Sequence, residues 1–274
     1  MTAPGYGVSS SIKDQVVATS PARSARPWRR WLLLGAIASY LLVLHAAMLG
    51  AVMKSDFVTR VERKLGILKA GEFEGSYKRF AAAFARSDAR ARPGAIVFLG
   101  DSIMRDLDTS SIARHTLNLA IPTDTTAGVL KRSQAYRSLA TARGVVIGVG
   151  VNDLVWRPIP EALRNYRSIL ELVPQATPVL ALAVLPVDER EVRQRNADVG
   201  KLNAGIASLC AARPGCHFVD ASRQLAGAGG NLLPSAHDGD GIHLSQVGHD
   251  IYWNVVNAAV VNFLPPANLS PPAQ

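Results

Sequence analysis

Four short polar blocks carry the residues whose types and spacing could do chemistry. A serine hydroxyl is a weak nucleophile until a neighbouring imidazole accepts its proton, and a carboxylate can hold that imidazole in one tautomer. Ser102 is the candidate nucleophile, and Asp240 and His243, three residues apart on one loop, are the candidate orienting acid and base. In chain order the blocks are Gly100-Asp101-Ser102, Asn118 through Thr126, Gly150-Val151-Asn152-Asp153 and Asp240-Gly241-Ile242-His243.

Attack of a serine on an ester also requires hydrogen-bond donors for the negative charge that develops on the carbonyl oxygen. The candidate donors are the backbone N–H of Ser102, a backbone N–H in the loop after Asn118, and the side-chain amide of Asn152. Trp156 follows the Asn152 loop, where an aromatic ring can either wall an acyl pocket or simply pack. Taken alone, Gly-Asp-Ser is also the sequence of an ordinary turn with a helix-capping serine.

The elements that must position these blocks alternate between strands and helices. Apolar runs predict five strands, at 95–99, 116–120, 144–149, 178–185 and 217–219, and helical spacing of apolar residues predicts helices at about 125–139, 160–172, 199–209 and after Ser245. This alternation is typical of an α/β fold with a parallel sheet and helices on both faces. Because ligands bind at the carboxyl edge of such sheets, we expect the four blocks to meet there.

The N-terminal part of the chain predicts a membrane anchor. Residues 31–53 contain one strongly polar side chain, His45, and roughly 20 apolar residues suffice to cross a bilayer. A cleaved signal peptide is the alternative, but no clean Ala-x-Ala site follows the span. The arginines that precede the span, with Arg29 and Arg30 next to it, predict a cytoplasmic N-terminus and an extracytoplasmic catalytic domain.

Composition and periodicity divide the chain into five segments. Residues 1–27 are predicted to be disordered, 28–53 to be the transmembrane anchor, 54–93 a helical stalk, 94–264 the α/β domain and 265–274 a Pro-rich tail. The apolar stripe of the stalk is expected to pack either on the domain or on the stalk of a second copy. In the second case the protein would be a homodimer.

The net charge of +9 does not indicate a nucleic-acid-binding protein. Residues 1–54 account for +5 of it, and the remainder is scattered and not interleaved with aromatic residues. The histidines and aspartates at 237–250 lack a recognisable ligand spacing, so we expect neither a metal nor a cofactor. Cys210 and Cys216 flank a Pro-Gly turn, and their spacing is compatible with a disulfide in an oxidising compartment or with two free thiols.

Over about residues 94–262, the four blocks resemble those of the SGNH (GDSL-type) hydrolase family of esterases and lipases. The resemblance implies a three-layer α/β/α flavodoxin-like fold, with Ser102 as nucleophile, His243 as base and Asp240 as its orienting acid. It implies Asn152 as an oxyanion donor and hydrolysis of esters or thioesters without a metal. Some members of the family transfer or remove acetyl groups on sugars. The Gly-x-Ser-x-Gly motif of α/β-hydrolases is absent from the Ser102 block.

The second block departs from the family pattern. Family members have Gly-Asp-Thr there, and the glycine N–H contributes to the oxyanion hole, whereas this chain has Thr123 after Pro122. Threonine keeps the N–H, so Thr123 remains a candidate oxyanion donor. Its β-branched side chain can misplace that donor wherever the backbone needs the conformational freedom of glycine.

The sequence therefore predicts a membrane-anchored serine esterase. It would act on a small-molecule, glycan or lipid ester through an acyl-serine intermediate. Two alternatives remain, an O-acyltransferase acting on glycans and a catalytically weak module that binds a glycan or a partner protein. Thr123 is the feature that favours the second alternative.

Overall fold

The computed structural model describes residues 27–54 and 75–264, which belong to two separate units. The first unit contributes one helix, α1 (Pro27–Lys54). Within it, Arg30–Gly50 is long and apolar enough to cross a membrane and is not buried, a pattern that fits a membrane span or a signal sequence. Three predictions fall outside the described residues: disorder at 1–26, the stalk at 55–74 and the Pro-rich tail at 265–274.

The second unit is built on a five-stranded parallel sheet, as the sequence predicts. Its strands are β1 (Ile96–Gly100), β2 (Thr116–Asn118), β3 (Gly144–Gly148), β4 (Val179–Leu182) and β5 (Cys216–Val219). They are arranged in the order β2-β1-β3-β4-β5. β1 lies between two neighbours, with Val97 opposite Leu117 on one side and Val145 on the other. Strands paired on both sides and covered on both faces consist mostly of apolar residues, which is why these runs were recognisable.

Ten helices are described across the two units, and five of them are long. After α1, the long ones are α2 (Gly75–Ala89), α7 (Ile159–Glu171), α8 (Asn196–Ala211) and α10 (Gln246–Phe263). The shorter ones are α3 (Ser102–Arg105), α4 (Thr109–Ile112), α5 (Thr126–Ser133), α6 (Asp153–Trp156) and α9 (Ser222–Leu225). The sequence analysis missed the four-residue helices because a single turn has no periodicity to detect.

Side chains that alternate along the strands build two cores, one on each face of the sheet. On one face, Val97 packs with residues of α5, α7 and α8, such as Tyr166 and Leu202. On the other face, Phe98 packs with residues of α10, such as Val256. The domain is therefore a three-layer α/β/α structure of the flavodoxin-like type, in agreement with the prediction.

Two predicted elements are shorter than expected, for local reasons. The second strand ends at Asn118, whose side-chain oxygen accepts the N–H of Ala120. Beyond this point Leu119 N–H and Ile121 N–H still donate to the carbonyl oxygens of Phe98 and Gly100, so the chain continues beside β1 outside the regular strand. The helix expected over 125–139 ends at Ser133. Turns follow it, and the N–H groups of Arg137 and Ser138 then donate to the carboxylate of Asp88 in α2 instead of to helix carbonyls. Helix α2, the described part of the predicted stalk, thus packs on the domain.

A disulfide bond joins Cys210, near the end of α8, to Cys216, the first residue of β5. The Cα atoms of the two cysteines are 5.2 Å apart, within the range that disulfides need. Of the two alternatives left by the sequence, the structure therefore shows the bonded one.

Candidate active site

The nucleophile candidate lies where β1 ends. Gly100 is the last residue of β1, and a Cβ at this position would collide with the carbonyl oxygen of Gly148 in β3. Asp101 caps α3 by accepting the N–H of Ile103 at 3.1 Å, which makes Ser102 the first residue of that helix. The first N–H groups of a helix have no acceptor within it, so the Ser102 N–H is available to a ligand.

The three predicted catalytic residues meet at this edge of the sheet. His243 Nε2 lies 2.9 Å from the Oγ of Ser102, although the two residues are 141 positions apart in the sequence. On the other side of the ring, His243 Nδ1 lies 2.5 Å from Oδ2 of Asp240. The same Asp240 accepts the N–H groups of Ile242 and His243 through Oδ1, so its carboxylate is fixed by its own loop.

The protonation states follow from these contacts. Partial burial acts to raise the pKa of Asp240, but hydrogen bonds from the His243 ring and from two backbone N–H groups outweigh it and lower that pKa. An ionised carboxylate only accepts hydrogen bonds, so Nδ1 of His243 must carry the proton. Nε2 is then the acceptor for the Ser102 hydroxyl, which is the tautomer that a general base requires.

The candidate oxyanion donors lie on the two neighbouring loops. Asn152 is half-buried and donates one side-chain N–H to the carbonyl oxygen of Asp124, 2.9 Å away. Thr123 is exposed and has a φ of 64°, the only positive φ of a non-glycine residue in the described parts of the chain. The structure thus places Thr123 in the left-handed region that favours glycine, as the departure from the family pattern suggested.

The comparisons with known proteins agree with this geometry. A family model for GDSL-like lipases and acylhydrolases matches residues 97–251, which is more than half of the chain. The chain belongs to this family. Family membership makes it a serine hydrolase that acts on esters. No curated protein matches its sequence significantly.

Solved structures share the fold of this acylhydrolase at low sequence identity. A protein provisionally described as a platelet activating factor from Streptococcus pneumonia has a TM-score of 0.62 and 22% identity over 68% of this chain and 92% of that one. A GDSL-like lipase from Bacteroides thetaiotaomicron has a TM-score of 0.58 and 22% identity, over 66% of this chain and 98% of that one. A lipase/acylhydrolase from Enterococcus faecalis has a TM-score of 0.55 and 21% identity, over 63% of this chain and 98% of that one.

A buried network of charged groups lies next to the candidate oxyanion donors Thr123 and Asn152 of this acylhydrolase. The carboxylate of Asp124, fully buried, accepts a hydrogen bond from the guanidinium of Arg132 at 2.8 Å. Asp153, also fully buried, accepts the N–H and the hydroxyl of Thr126, and it pairs with Arg157 at 3.1 Å. Asp153 directly follows Asn152, so these contacts fix the segment that carries the candidate amide donor.

Asp101 lies beside the nucleophile without touching the reacting groups. Burial raises its pKa to about 7, and the nearby negative charges of Asp124 and Asp153 act in the same direction. The hydrogen bond from Ile103 N–H opposes the shift. Asp101 thus contacts the first turn of α3, and Asp153 contacts Thr126 and Arg157.

The remaining predicted positions are placed as follows. Trp156 is half-buried at the end of α6, the short helix that begins directly after Asn152. Within residues 27–54 and 75–264 no group of three or more His, Cys, Asp or Glu side chains is arranged to hold a metal ion.

Two residues that contact the backbone around Asp240 were given no role by the sequence, Asp188 and His237. His237 belongs to the run at 237–250 whose spacing did not indicate a metal site. Asp188 follows a strand but belongs to none of the four blocks, so no signal in a single sequence marks it.

Proposed function

We propose that this acylhydrolase hydrolyses carboxylic esters through an acyl-serine intermediate, with Ser102 as nucleophile, His243 as base and Asp240 as orienting acid. The observation that carries the proposal is the continuous chain of short contacts from Ser102 Oγ through the imidazole of His243 to the carboxylate of Asp240. The same residues, spread over 141 positions of sequence, have no structural need to meet in this arrangement.

The reaction follows the geometry. Ser102 Oγ bonds to the ester carbonyl carbon while its proton passes to Nε2 of His243, and Asp240 stabilises the imidazolium. The backbone N–H groups of Ser102 and Thr123 and the amide of Asn152 are the proposed donors to the oxyanion. Collapse of this intermediate breaks the ester C–O bond, and the departing alcohol takes the proton from Nε2. Water then attacks the acyl-serine by the same route and releases the acid.

The proposed substrate is a carbohydrate O-acyl ester or a lipid ester. Ser102 is almost fully buried, but the side chains of Asp240 and His243 are 49% and 45% exposed. Such an opening admits an ester group that projects from a large molecule. Trp156, one turn from Asn152, is the proposed wall of the acyl pocket.

The proposed location is the extracytoplasmic side of the cell membrane, the periplasm in a Gram-negative cell. The exposed apolar side chains of α1 support a single-pass anchor. The arginines at its N-terminal end, such as Arg29 and Arg30, support a cytoplasmic N-terminus. The disulfide between Cys210 and Cys216 supports an oxidising compartment. A periplasm-active reporter fused after residue 60 should be active, and an inactive reporter would reverse this topology.

A second candidate function is a catalytically weak module that binds a glycan or a partner protein. The observation that favours it is the φ of 64° at Thr123, because a β-branched residue in this region is strained and its N–H can be misaligned.

Turnover of esters by the full-length chain in detergent tests the proposal. We would compare the wild type with Ser102→Ala on p-nitrophenyl acetate, butyrate and octanoate, and use Ser208→Ala, an exposed serine on α8, as the matched control. The wild type and Ser208→Ala should turn over with equal kcat, and Ser102→Ala should lose at least about 10³-fold, since removing one member of such a triad abolishes most of the rate.

The other outcomes discriminate between the candidates. Undiminished turnover in Ser102→Ala would contradict the proposed nucleophile. If a folded wild type shows no turnover in water but acylates Ser102 and passes the acyl group to an added oligosaccharide, the chain is an acyltransferase. Failure in both assays would favour the binding module.

A further inference from the structure

The loop that carries Asp240 and His243 is a closed hairpin, here called the catalytic loop, residues 237–244. His237 and Leu244 form an antiparallel bridge at its base. Asp238 N–H donates to the carbonyl oxygen of His243 at 3.0 Å. Gly239 and Gly241 have φ of 94° and 78°, which lets the backbone turn twice within the loop. These turns direct two backbone N–H groups into the interior of the loop.

The imidazole of His237 fills this interior. The residue is only 8% exposed, and its Nδ1 lies 3.0 Å from Gly239 N and 3.2 Å from Gly241 N. Both backbone nitrogens are donors, so Nδ1 must be the unprotonated ring nitrogen that accepts from them. The ring proton is then on Nε2, which lies 3.4 Å from Oδ2 of Asp188.

Asp188 holds the same loop from outside. Its backbone N–H donates to the carbonyl oxygen of Gly241 at 2.9 Å. Its carboxylate, nearly inaccessible to solvent, is bound by two guanidinium nitrogens of Arg190 at 2.6 and 2.8 Å, and these bonds lower the pKa of Asp188. A Cβ on Gly241 would lie 2.9 Å from Cβ of Glu191 and 3.0 Å from the Asp188 carbonyl oxygen, so the two segments are in close contact.

We propose that His237 is a positioning residue for catalysis, and that it acts as a neutral acceptor that fixes the backbone between the catalytic acid and base. Gly239 and Gly241 flank Asp240 directly, and Gly241 is two residues before His243. The ring of His237 therefore sets where the Asp240 carboxylate and the His243 imidazole stand relative to Ser102. This inference rests on the proposed roles of Ser102, Asp240 and His243.

The role depends on one atom of the ring. Without an acceptor at Nδ1, the N–H groups of Gly239 and of the buried Gly241 lose their partner, and the loop must move to satisfy them. In asparagine, Oδ1 is bonded to Cγ just as Nδ1 is in histidine, so His237→Asn keeps an acceptor in place. In glutamine the polar atoms are one bond further out, so His237→Gln resembles the Nε2 end and leaves the two N–H groups unpaired.

Steady-state kinetics of the full-length chain in detergent on p-nitrophenyl acetate tests this distinction. His237→Asn should keep kcat within about 3-fold of the wild type, whereas His237→Gln should lose about 10–100-fold in kcat with KM changed less than about 2-fold, because displacement of catalytic groups by an ångström costs about that much. His217→Asn on β5, whose ring stacks on Phe263, controls for removal of a histidine elsewhere. Equal losses in His237→Asn and His237→Gln, or no loss in either, would overturn the proposal.

Hydrogen exchange on the wild-type chain tests the same contacts without a variant and without any assay of turnover. The amide protons of Gly239 and Gly241 should exchange at least about 10-fold more slowly than that of Gly229, a solvent-exposed loop glycine, because only the former are hydrogen-bonded inside the loop. Equal exchange rates would show that His237 does not hold the loop. An inactive wild type with protected amides would instead contradict the proposed function alone.

Discussion

The two sides of the active site are held in place by different means. On the nucleophile side, Ser102 follows β1, which pairs along its length with β3 and at its start with β2. The side chains of Asp101, Asp124 and Asp153 on this side are buried. On the base side, Asp240 and His243 are half-exposed on a hairpin with no strand partner in the sheet.

This difference separates stability from rate. Groups that fix the nucleophile side are buried in the core. Changing them should lower the unfolding free energy more than it lowers kcat of the folded enzyme. On the base side the catalytic side chains of Asp240 and His243 are half-exposed, so changing either should alter kcat and leave the unfolding free energy nearly constant. The predictions below test this contrast, in order of decreasing effect.

The largest effect is expected at Asp240. In Asp240→Asn the side-chain oxygen can still accept the N–H groups of Ile242 and His243, so the loop should keep its shape. The His243 tautomer is no longer enforced, and kcat should fall about 10³-fold, with the unfolding free energy unchanged to within about 0.5 kcal/mol. Turnover of p-nitrophenyl acetate measures kcat, and urea unfolding measures the free energy of unfolding. A drop in stability equal to the loss of activity would remove the contrast.

On the nucleophile side, Arg132→Met should do the opposite. It removes the guanidinium from the buried Asp124 carboxylate, and breaking a buried ion pair typically destabilises by about 3–5 kcal/mol. Lys201→Met is the matched control, since Lys201 and its partner Asp198 are both exposed, and it should destabilise clearly less. Urea unfolding of both variants gives the comparison. Equal losses would mean that burial does not distinguish the two pairs.

The raised pKa of Asp101 should make the stability of the domain depend on pH. Its native carboxyl keeps the proton up to about pH 7, whereas an unfolded aspartate loses it near pH 4, so this group makes the unfolding free energy fall as the pH rises between these values. Asp101→Asn removes that contribution. Between pH 4 and 8 the unfolding free energy of the variant should therefore rise relative to that of the wild type by up to about 4 kcal/mol. Asp250→Asn, an exposed aspartate on α10, should show no such gain. A constant difference for Asp101→Asn across this range would count against the raised pKa.

The smallest effect is expected at Thr123, on the loop after β2. Thr123→Gly relieves a strain of about 1–3 kcal/mol at φ 64° and lets the N–H align with the oxyanion, so kcat should rise by up to about 10-fold. Thr123→Ala removes the β-branch but keeps the strain of a Cβ, so its kcat should rise less than that of Thr123→Gly. Should Thr123→Gly be slower than the wild type, the threonine is itself part of the site.

Much of the site was predictable because parallel sheets place function at strand ends. The apolar runs of β1 and β3 end at Gly100 and Gly148, and the polar residues that follow, Ser102 and Asn152, must then lie at one edge. Asp240 and His243 were predictable from their types and their spacing of three residues. The structure brings both into contact with each other and places His243 on Ser102.

The sequence by itself determined the fold class, the candidate nucleophile, acid and base, and the apolar N-terminal helix, because periodicity and short spacings are local properties. Only the tertiary structure decided that Cys210 and Cys216 are joined, that Thr123 has a positive φ, and that Arg132 neutralises Asp124. The support of the catalytic loop by His237 and Asp188 is of the same kind. Several of these contacts join residues that are close in sequence, such as the cysteines, six positions apart, and Arg132 and Asp124, eight positions apart. Whether they form depends on how the fold places the two residues, and residue types and spacing alone do not determine that.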